Sequence, residues 1–258
     1  MNIIVCLKQV PDSADIKFDP VTKRLSREGV KSMINPYDMY AIEEALRLKE
    51  KLGGKVTAIT MGLPQAESAL REAVALGCDE AILISDSAFA GSDTMATSYV
   101  LSQAIRKIKD YDMIFCGKQS LDGDTAHVGP GIAGNLDIPQ MTNIRKIQDI
   151  KEGQIIAHRM TEYGYDVLEA SLPCLLTVVK DINVPRLPSL KGKMKAKSVQ
   201  VSVWKAADIG ADEARIGLKG SATEVVNITT PPARPQGKIF EGEMAVDQLV
   251  EVLKGLVK

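Results

Sequence analysis

Strand and helix patterns alternate through residues 1–120, and this alternation restricts the chain to a small set of folds. Residues 3–10 form an apolar run typical of a strand that is buried on both faces. Residues 55–61, 81–85 and 112–116 predict three further strands, with helices between them. Right-handed crossovers place such helices on both faces of a parallel sheet. The sequence therefore predicts the α/β class, with a doubly wound parallel sheet.

Turn and capping residues mark where the predicted helices begin and end. Asn35 is predicted as the N-cap of the first helix, with Pro36 at its first position. Gly53 follows the last turn and ends that helix. Further helices are predicted over residues 64–76 and about 93–108. The apolar face predicted for the first helix consists of Ala41, Ile42, Ala45, Leu46, Leu48 and Leu52.

The rest of the chain has a different texture. Residues 12–30 predict an excursion with a short hairpin, and residues 181–198 are predicted to be irregular and basic. Residues 221–237 are predicted to be extended, and residues 244–256 predict an amphipathic helix. Four short strands, partly antiparallel, are predicted to extend or edge the sheet: residues 141–150, 154–161, 166–171 and 174–179.

Composition excludes several classes of function. The 258 residues have a formal net charge of −1, so we expect no nucleic-acid partner. No apolar run approaches the roughly 20 residues that span a bilayer, and no basic region precedes the first strand. We therefore expect no membrane insertion and a cytoplasmic location. The two histidines and four widely spaced cysteines have neither metal nor redox spacing, so we expect packed, reduced thiols and no metal.

Three segments are predicted to meet at the carboxyl edge of the sheet, where open α/β sheets bind ligands. These are residues 6–8 after the first strand, 35–38 at a helix start, and 117–129 after the fourth strand. The third has small residues, a hydroxyl and backbone amides before a short helix, which suits a phosphate. It contains neither GxGxxG nor a Walker A motif, so a polar loop without a ligand remains the alternative.

A second candidate is the basic run formed by Lys191, Lys193, Lys195 and Lys197, preceded by Arg186. Such a run is usually a solvated surface. Leu187 and Leu190 stand among these charges, however, and an exposed leucine flanked by cations could anchor in an apolar pocket of a partner. The residues alone leave both readings open.

These segments also resemble a known family. Residues 5–11 (VCLKQVP) and 33–38 (MINPYD) resemble the corresponding segments of electron-transferring flavoprotein beta subunits. So do residues 117–119 (GKQ) and 136–140 (LDIPQ), and the most specific match is residues 183–190 (NVPRLPSL). The resemblance extends over almost the whole chain with its motifs in order. It implies an adenine-nucleotide-binding, Rossmann-like α/β fold with antiparallel additions.

The resemblance also implies a division of labour along the chain. Residues 1–198 would form the nucleotide-binding domain, including a partner-recognition loop at 182–198 that docks a dehydrogenase through Leu187 and Leu190. Residues 199–258 would form an extended arm and helix that pack on an alpha subunit with its own FAD. The implied cofactor-binding residues are Cys6, Asn35, Pro36, Tyr37, Asp38, Met61, Ser120, Asp122, Gly123, Asp124, Thr125, Ala126, His127, Val128 and Gly129.

Within the family, the loop at residues 122–130 (DGDTAHVGP) resembles the bifurcating type, which holds a second FAD in the beta subunit. His127 departs from the glutamine of that type, and Ala133-Gly134 resembles the type that holds structural AMP. The resemblance implies hydride transfer from NADH to this FAD. Electrons would then divide, or in reverse combine, between ferredoxin or flavodoxin and a flavin dehydrogenase of the acyl-CoA, enoyl-CoA or lactate type.

Such a subunit belongs to an NAD- and ferredoxin-linked oxidoreductase complex, and the flavin performs the chemistry. We therefore expect no catalytic side chain in this chain alone. Two alternatives remain open from the sequence. One is an ordinary electron shuttle that holds AMP, and the other is a stand-alone regulator that binds an adenine nucleotide.

Overall fold

The computed structural model describes residues 1–12, 17–19, 24–26, 32–227 and 237–256. The strands are β1 (Asn2–Cys6), β2 (Gln9–Pro11), β3 (Lys17–Asp19), β4 (Arg24–Ser26), β5 (Ser32–Ile34), β6 (Lys55–Met61), β7 (Glu80–Ile84), β8 (Met113–Gly117), β9 (Gln140–Lys151), β10 (Gln154–Met160), β11 (Tyr165–Ser171), β12 (Cys174–Val178) and β13 (Ser202–Trp204). The α-helices are α1 (Pro36–Leu52), α2 (Glu67–Leu76), α3 (Thr94–Ile108), α4 (Val128–Leu136), α5 (Leu190–Ser198) and α6 (Ala245–Leu256).

One sheet organises the molecule, in the order β11-β10-β9-β12-β8-β1-β6-β7-β13. From β9 through β12, β8, β1, β6 and β7 to β13, neighbouring strands are parallel. Side chains alternate between two apolar cores: Ile3 and Val5 of β1 face α1, α2 and α5, whereas Ile4 and Cys6 face α3 and α4. The predicted α/β fold with helices on both faces of a parallel sheet is confirmed.

The first helix begins and ends where its capping residues predict. Pro36 is its first residue and Gly53 its C-cap. Five of the six predicted face residues are buried, but Leu52 is 41% exposed, so that part of the prediction is wrong. Leu52 lies in the last turn, one residue before the C-cap, and packing against the sheet no longer covers it. The predicted second helix begins with a short 3₁₀ turn at Pro64–Ala66 before α2.

The first strand is shorter than its apolar pattern predicts. β1 ends at Cys6, and the chain resumes as β2, which pairs antiparallel with β5. The break occurs because the Lys8 amide donates to the Asp38 carboxylate (2.7 Å) rather than to a neighbouring strand. The predicted hairpin is confirmed as β3 paired with β4. The rest of the predicted excursion lies outside the described residues.

The antiparallel additions are confirmed at one edge of the sheet. β10 pairs antiparallel with β9 and β11, and β9 itself runs parallel to β12. At the opposite edge, β13 pairs parallel with β7. Ile209 and Ile216 beyond it are buried in the core shared with α3. The predicted division at residue 198 stays a prediction, although the chain after that point adds a strand to the sheet before any arm begins.

The prediction of a loop over residues 182–198 is wrong for its second half, because residues 190–198 form helix α5. The Ser189 hydroxyl accepts a hydrogen bond from the Gly192 amide (3.0 Å) and caps the helix. Ala196 is buried against α2. A Cβ at Gly192 would lie 2.0 Å from the Ala75 carbonyl oxygen, so the two helices approach closely. The many lysines concealed a segment of ordinary helix formers.

The C-terminal helix is confirmed as α6, with no buried residue. Its exposed apolar side chains are Val246, Leu249, Val250, Val252, Leu253 and Leu256. Residues 221–227 contain neither helix nor strand, and the remainder of the predicted extended segment up to residue 236 lies outside the described residues. Within the part of the chain that the structure describes, no helix is both long and apolar enough to cross a bilayer.

Asp93 joins the start of α3 to the segment that follows β13. One carboxylate oxygen accepts from the Met95 and Ala96 amides (2.9 and 3.0 Å), and the other accepts from the Ala222 and Thr223 amides (2.8 and 3.0 Å). The Asp93→Ala substitution should lower the free energy of unfolding by about 2–3 kcal/mol, because it removes a helix cap and a long-range tie together. Urea denaturation measures this change. The Glu162→Ala control, at an exposed turn residue, should stay within about 0.5 kcal/mol of wild type.

Candidate functional site

The three predicted segments meet at the carboxyl ends of β1 and β8, where the strand order reverses. Asp38, in the first turn of α1, holds this junction together. Its carboxylate accepts from the Lys8 amide after β1 (2.7 Å) and from the Gly117 amide at the end of β8 (3.1 Å). A Cβ at Gly117 would lie 2.4 Å from the Asp38 carboxylate, so only glycine permits this approach.

Asn35 connects the same helix start to the loop after β8. Its side-chain amide donates to the Gln119 carbonyl (2.8 Å), and its side-chain oxygen accepts from the Leu121 amide (3.1 Å). Asn35 occupies the predicted N-cap position, but its side chain makes no capping hydrogen bond to α1. The predicted N-cap position is confirmed, and both ends of the side chain are bonded to the loop.

The loop at residues 118–127 is further fixed by polar contacts. The Lys8 ammonium group bridges both Asp122 carboxylate oxygens (2.7 and 2.8 Å). Ser120 accepts from the Gly123 amide with its hydroxyl (3.3 Å) and from the Asp124 amide with its carbonyl (2.9 Å). Gln119 donates to the Asp124 side chain. The loop is therefore shaped by its own side chains while residues 121–125 remain exposed.

The loop leads directly into α4, whose start is packed against the sheet. Asp124 and Ala126 have left-handed backbone (φ 54° and 57°) on either side of Thr125. Alternation of this kind gathers successive N–H groups into a concavity that attracts anions. A Cβ at Gly129 would lie 2.6 Å from the Thr177 Cγ2 atom of β12. The first amides of the helix are thus held at the sheet edge, and helix geometry leaves them without an intrahelical acceptor.

Burial controls the protonation of the groups beneath this edge. Desolvation raises the pKa of Asp38 from 3.8 to about 7, partly offset by the Lys8 and Gly117 amides. Cys6 and Cys116 face each other in neighbouring strands. The Cys116 thiol has a raised pKa because of its hydrogen bond with Cys6 and its burial. All four cysteines are free and buried, as predicted.

The remaining predicted cofactor-binding residues border this edge. Cys6 and Met61 lie at the ends of the adjacent strands β1 and β6, and Pro36 and Tyr37 are partly exposed beside Asp38. Lys8 and Gly117 lie in the predicted segments, but sequence reasoning did not count them among the cofactor-binding residues. The charge of Lys8, next to a strand end and opposite an aspartate-containing loop, was the available signal for it; no local pattern indicated the contact between Gly117 and Asp38.

The predicted docking residues lie elsewhere, on the segment that crosses α1 and α2. Leu187 is 89% exposed and Leu190 is 80% exposed. Val184 and Met194 add two more exposed apolar side chains to the same segment. We call these four residues the docking ridge. Within the described ranges, no group of three or more His, Cys, Asp or Glu side chains could hold a metal ion.

Comparison with known proteins places these features in a family. A model of the electron transfer flavoprotein domain matches residues 22–209. The chain belongs to the electron transfer flavoprotein family.

Three relatives are similar to the chain over most of their lengths. A protein of Thermoanaerobacterium thermosaccharolyticum named electron transfer flavoprotein subunit beta is 53% identical, covering 98% of each chain. The FixA protein of Azotobacter vinelandii is 50% identical, covering 91% of this chain and 85% of FixA. The caffeyl-CoA reductase-Etf complex subunit CarD of Acetobacterium woodii is 46% identical, covering 94% and 92%. The predicted resemblance to flavoprotein beta subunits is confirmed.

An electron transfer flavoprotein chain functions in electron transfer as a subunit of an oxidoreductase system, and this coarse assignment holds here. The geometry is consistent with it. The switch point between β1 and β8 is where doubly wound sheets bind nucleotides, and the loop and helix start of this chain lie there.

The raised pKa of Asp38 predicts a pH-dependent stability. Between about pH 4 and pH 7 the folded chain retains a proton on Asp38 that the unfolded chain has lost. The contribution of Asp38 is therefore full below about pH 4 and falls as the pH rises to 7, by at most about 1.4 kcal/mol per pH unit. Urea denaturation across this range should show the Asp38→Asn variant gaining on wild type as the pH rises. A constant difference between the two proteins, or an equal slope change in the exposed control Asp137→Asn, would contradict the assignment.

Proposed function

We propose that this chain is the beta subunit of a bifurcating electron-transferring flavoprotein. It pairs with an alpha subunit that has its own FAD and holds a second FAD at the switch point. NADH is the hydride donor, and the electrons pass to ferredoxin or flavodoxin and, through the alpha-subunit FAD, to a flavin dehydrogenase. The observation that supports this best is the loop at residues 122–130. Its sequence resembles the bifurcating type, and it lies beside the carboxyl ends of β1 and β8, where the strand order reverses.

The loop and the start of α4 fit the diphosphate of such a cofactor. The amides of Thr125, Ala126, Val128 and Gly129 have no hydrogen-bond acceptor within the described part of the chain. They follow one another across a left-handed turn into a helix N-terminus, where the helix dipole favours negative charge. Lys8 is already paired with Asp122, so backbone amides rather than a free lysine would hold the phosphates.

The segment at residues 35–38 fits the adenosine end in a specific way. Asn35 and Asp38 are 1% and 6% exposed, and their polar atoms are bonded to the loop and to the strand ends. They would shape the wall of the site, while the partly exposed Pro36 and Tyr37 would contact the ligand. Cys6 and Met61 would form the floor at the strand ends.

When bound, the flavin supplies the redox chemistry by accepting a hydride and releasing electrons singly. The residues of this chain would bind and orient it, and Asp38 would fix the two strand ends that border the site.

The proposed partners fit two exposed apolar surfaces. The unburied apolar face of α6 suits packing on the alpha subunit. The docking ridge suits an apolar pocket of the dehydrogenase, with Lys191, Lys193 and Lys197 steering an acidic rim. Among the dehydrogenase types that the sequence leaves open, the name of the CarD relative favours an enoyl-CoA reductase or acyl-CoA dehydrogenase.

Denaturation of the purified alpha–beta complex, followed by mass spectrometry of the released cofactors, tests the cofactor assignment. The proposal expects two FAD per heterodimer and no AMP, because the loop provides a diphosphate site within this chain. One FAD and one AMP would make the chain an ordinary electron shuttle and overturn the bifurcating assignment.

Two glycines of α4 provide a matched pair for the same measurement. In the Gly129→Ala variant the new methyl group collides with Thr177, shifts the helix start, and should reduce FAD retained by this chain by about half or more. The Gly134→Ala variant places its methyl in open space on the same helix and should retain FAD fully. Equal flavin content in both variants would show that the start of α4 does not bind the FAD.

The Leu190→Ala substitution tests the docking ridge. If Leu190 is buried by the partner, its loss should raise the KM for the dehydrogenase about 10- to 150-fold, from roughly 1.5–3 kcal/mol of lost burial. The assay follows reduction of the heterodimer flavin by butyryl-CoA and a butyryl-CoA dehydrogenase, or by lactate and a flavin-type lactate dehydrogenase. Reduction by NADH should be unchanged, and the Leu52→Ala control, at an exposed leucine of α1, should behave as wild type. Parallel loss of both activities would exclude a specific docking role.

A further inference from the structure

In the segment at residues 183–189, aliphatic side chains face solvent while polar side chains bond to the protein. It contains neither helix nor strand, and its apolar residues Val184 and Leu187 are almost fully exposed. An irregular segment of this kind normally gains its order by burying apolar groups. Here the aliphatic side chains of Val184 and Leu187 face solvent, and the groups that bond to the protein are the polar ones, Asn183 and Arg186. Pro185 and Pro188 are half-buried beside them.

Arg186 makes the most extensive of these contacts. Its guanidinium group forms a fork to Glu43, with Nε 2.7 Å from Oε2 and Nη2 3.2 Å from Oε1. The same group also donates to both carboxylate oxygens of Glu50, at 3.1 Å for Nη2 to Oε2. The Arg186 amide adds a further bond to Glu43 (3.1 Å). One side chain and its own backbone are thus tied to two carboxylates that lie two turns apart on α1.

The burial of Glu43 makes this tie more than a surface ion pair. Glu43 is 6% exposed, so its charge depends on the arginine for compensation. Hydrogen bonds to Glu50 and Glu43 raise the pKa of Arg186 above its usual range. Arg47 also approaches Glu43, but only to 3.7 Å. The planar guanidinium fits both carboxylates at once, which a lysine at this position would not do.

Two other ties bracket the arginine. Asn183 donates to the Tyr40 carbonyl and to the Glu44 carboxylate, each at 3.0 Å. On the other side, the Arg71 guanidinium of α2 donates to the Ala196 carbonyl of α5 (2.7 Å). The docking ridge is therefore held at both ends and in the middle, with its apolar side chains free.

We propose that Arg186 is a positioning residue that holds the docking ridge in its binding conformation before a partner arrives. This inference rests on the proposed docking function of the ridge. Ordering a flexible loop on binding weakens affinity, and a segment already ordered avoids that cost. The partner, an apolar pocket with an acidic rim on a flavin dehydrogenase, meets a preformed surface. Arg186 acts through the ridge, because its guanidinium group is bonded to α1.

The Arg186→Gln variant of the alpha–beta complex tests the proposal with two readouts. Hydrogen exchange should show the amide of residue 186, which donates to Glu43 in the wild-type chain, exchanging about tenfold faster or more. The KM for the dehydrogenase should rise about tenfold, while kcat, flavin content and reduction by NADH stay at wild-type values. The dehydrogenase is whichever of butyryl-CoA dehydrogenase and flavin-type lactate dehydrogenase reduces the wild-type complex.

Three further variants interpret the result. Arg159→Gln removes an arginine that contacts Asp166 through two nitrogens (3.2 and 2.7 Å) on β10, and should change neither readout. Arg186→Lys keeps the charge and one ion pair, and should recover part of the lost affinity. Glu50→Gln weakens only the contact between Arg186 and the exposed Glu50 and keeps the contact with the buried Glu43. The complex should therefore fold even if the Arg186→Gln complex does not. Its KM should rise by an intermediate amount.

The outcomes separate the inference from the function on which it rests. Faster exchange with an unchanged KM would reduce Arg186 to a structural residue and overturn the proposal. Unchanged exchange would show that the Arg186 contacts do not order the segment, and this too would overturn the proposal. If Leu190→Ala also leaves the KM unchanged, the docking function itself fails. If Leu190→Ala raises the KM and Arg186→Gln does not, the docking function stands and only the positioning role of Arg186 is overturned.

Discussion

The geometry at the carboxyl ends of β1 and β8, called here the nucleotide edge because a nucleotide is proposed to bind there, depends on the hydrogen bonds of the Asp38 carboxylate. Two parallel strands that end side by side leave their next amides without strand partners, and a buried site cannot leave such groups unsatisfied. Asp38 satisfies one amide from each strand and thereby fixes where both chains turn. The cost is a buried carboxyl group whose pKa is raised to about 7. Asn35, one turn earlier, does the same for the loop that follows β8.

Much of this architecture follows from local patterns in the sequence. The β6 strand, the third helix and the helix stop at Gly53 are all where apolar periodicity and capping residues predict them. These features depend on neighbours within a few residues, so a single sequence specifies them. Residues 117–129 were also recognisable as a ligand loop from their position after a strand.

Contacts between distant segments were beyond such reasoning. Asn35 has an ideal N-cap identity, yet its side chain is bonded to residues more than 80 positions away. Arg186 looked like the first member of a solvated basic run, because its two carboxylate partners lie 143 and 136 positions earlier. The lysine-rich helix α5 was missed for a related reason: its one buried residue, Ala196, meets α2 only in the folded chain.

One helix, α1, connects the two regions for which functions are proposed. The first turn of α1 contains Asp38, and its later turns contain Glu43 and Glu50, so the nucleotide edge and the docking ridge are attached to the same rigid rod. At about 1.5 Å of rise per residue, the attachment points at Asp38 and Glu50 are roughly 18 Å apart along its axis. α1 thus acts as a ruler within this chain. The distance between the proposed cofactor site and the proposed docking surface is therefore a property of this chain alone, and it changes only if α1 bends or the contacts to it break.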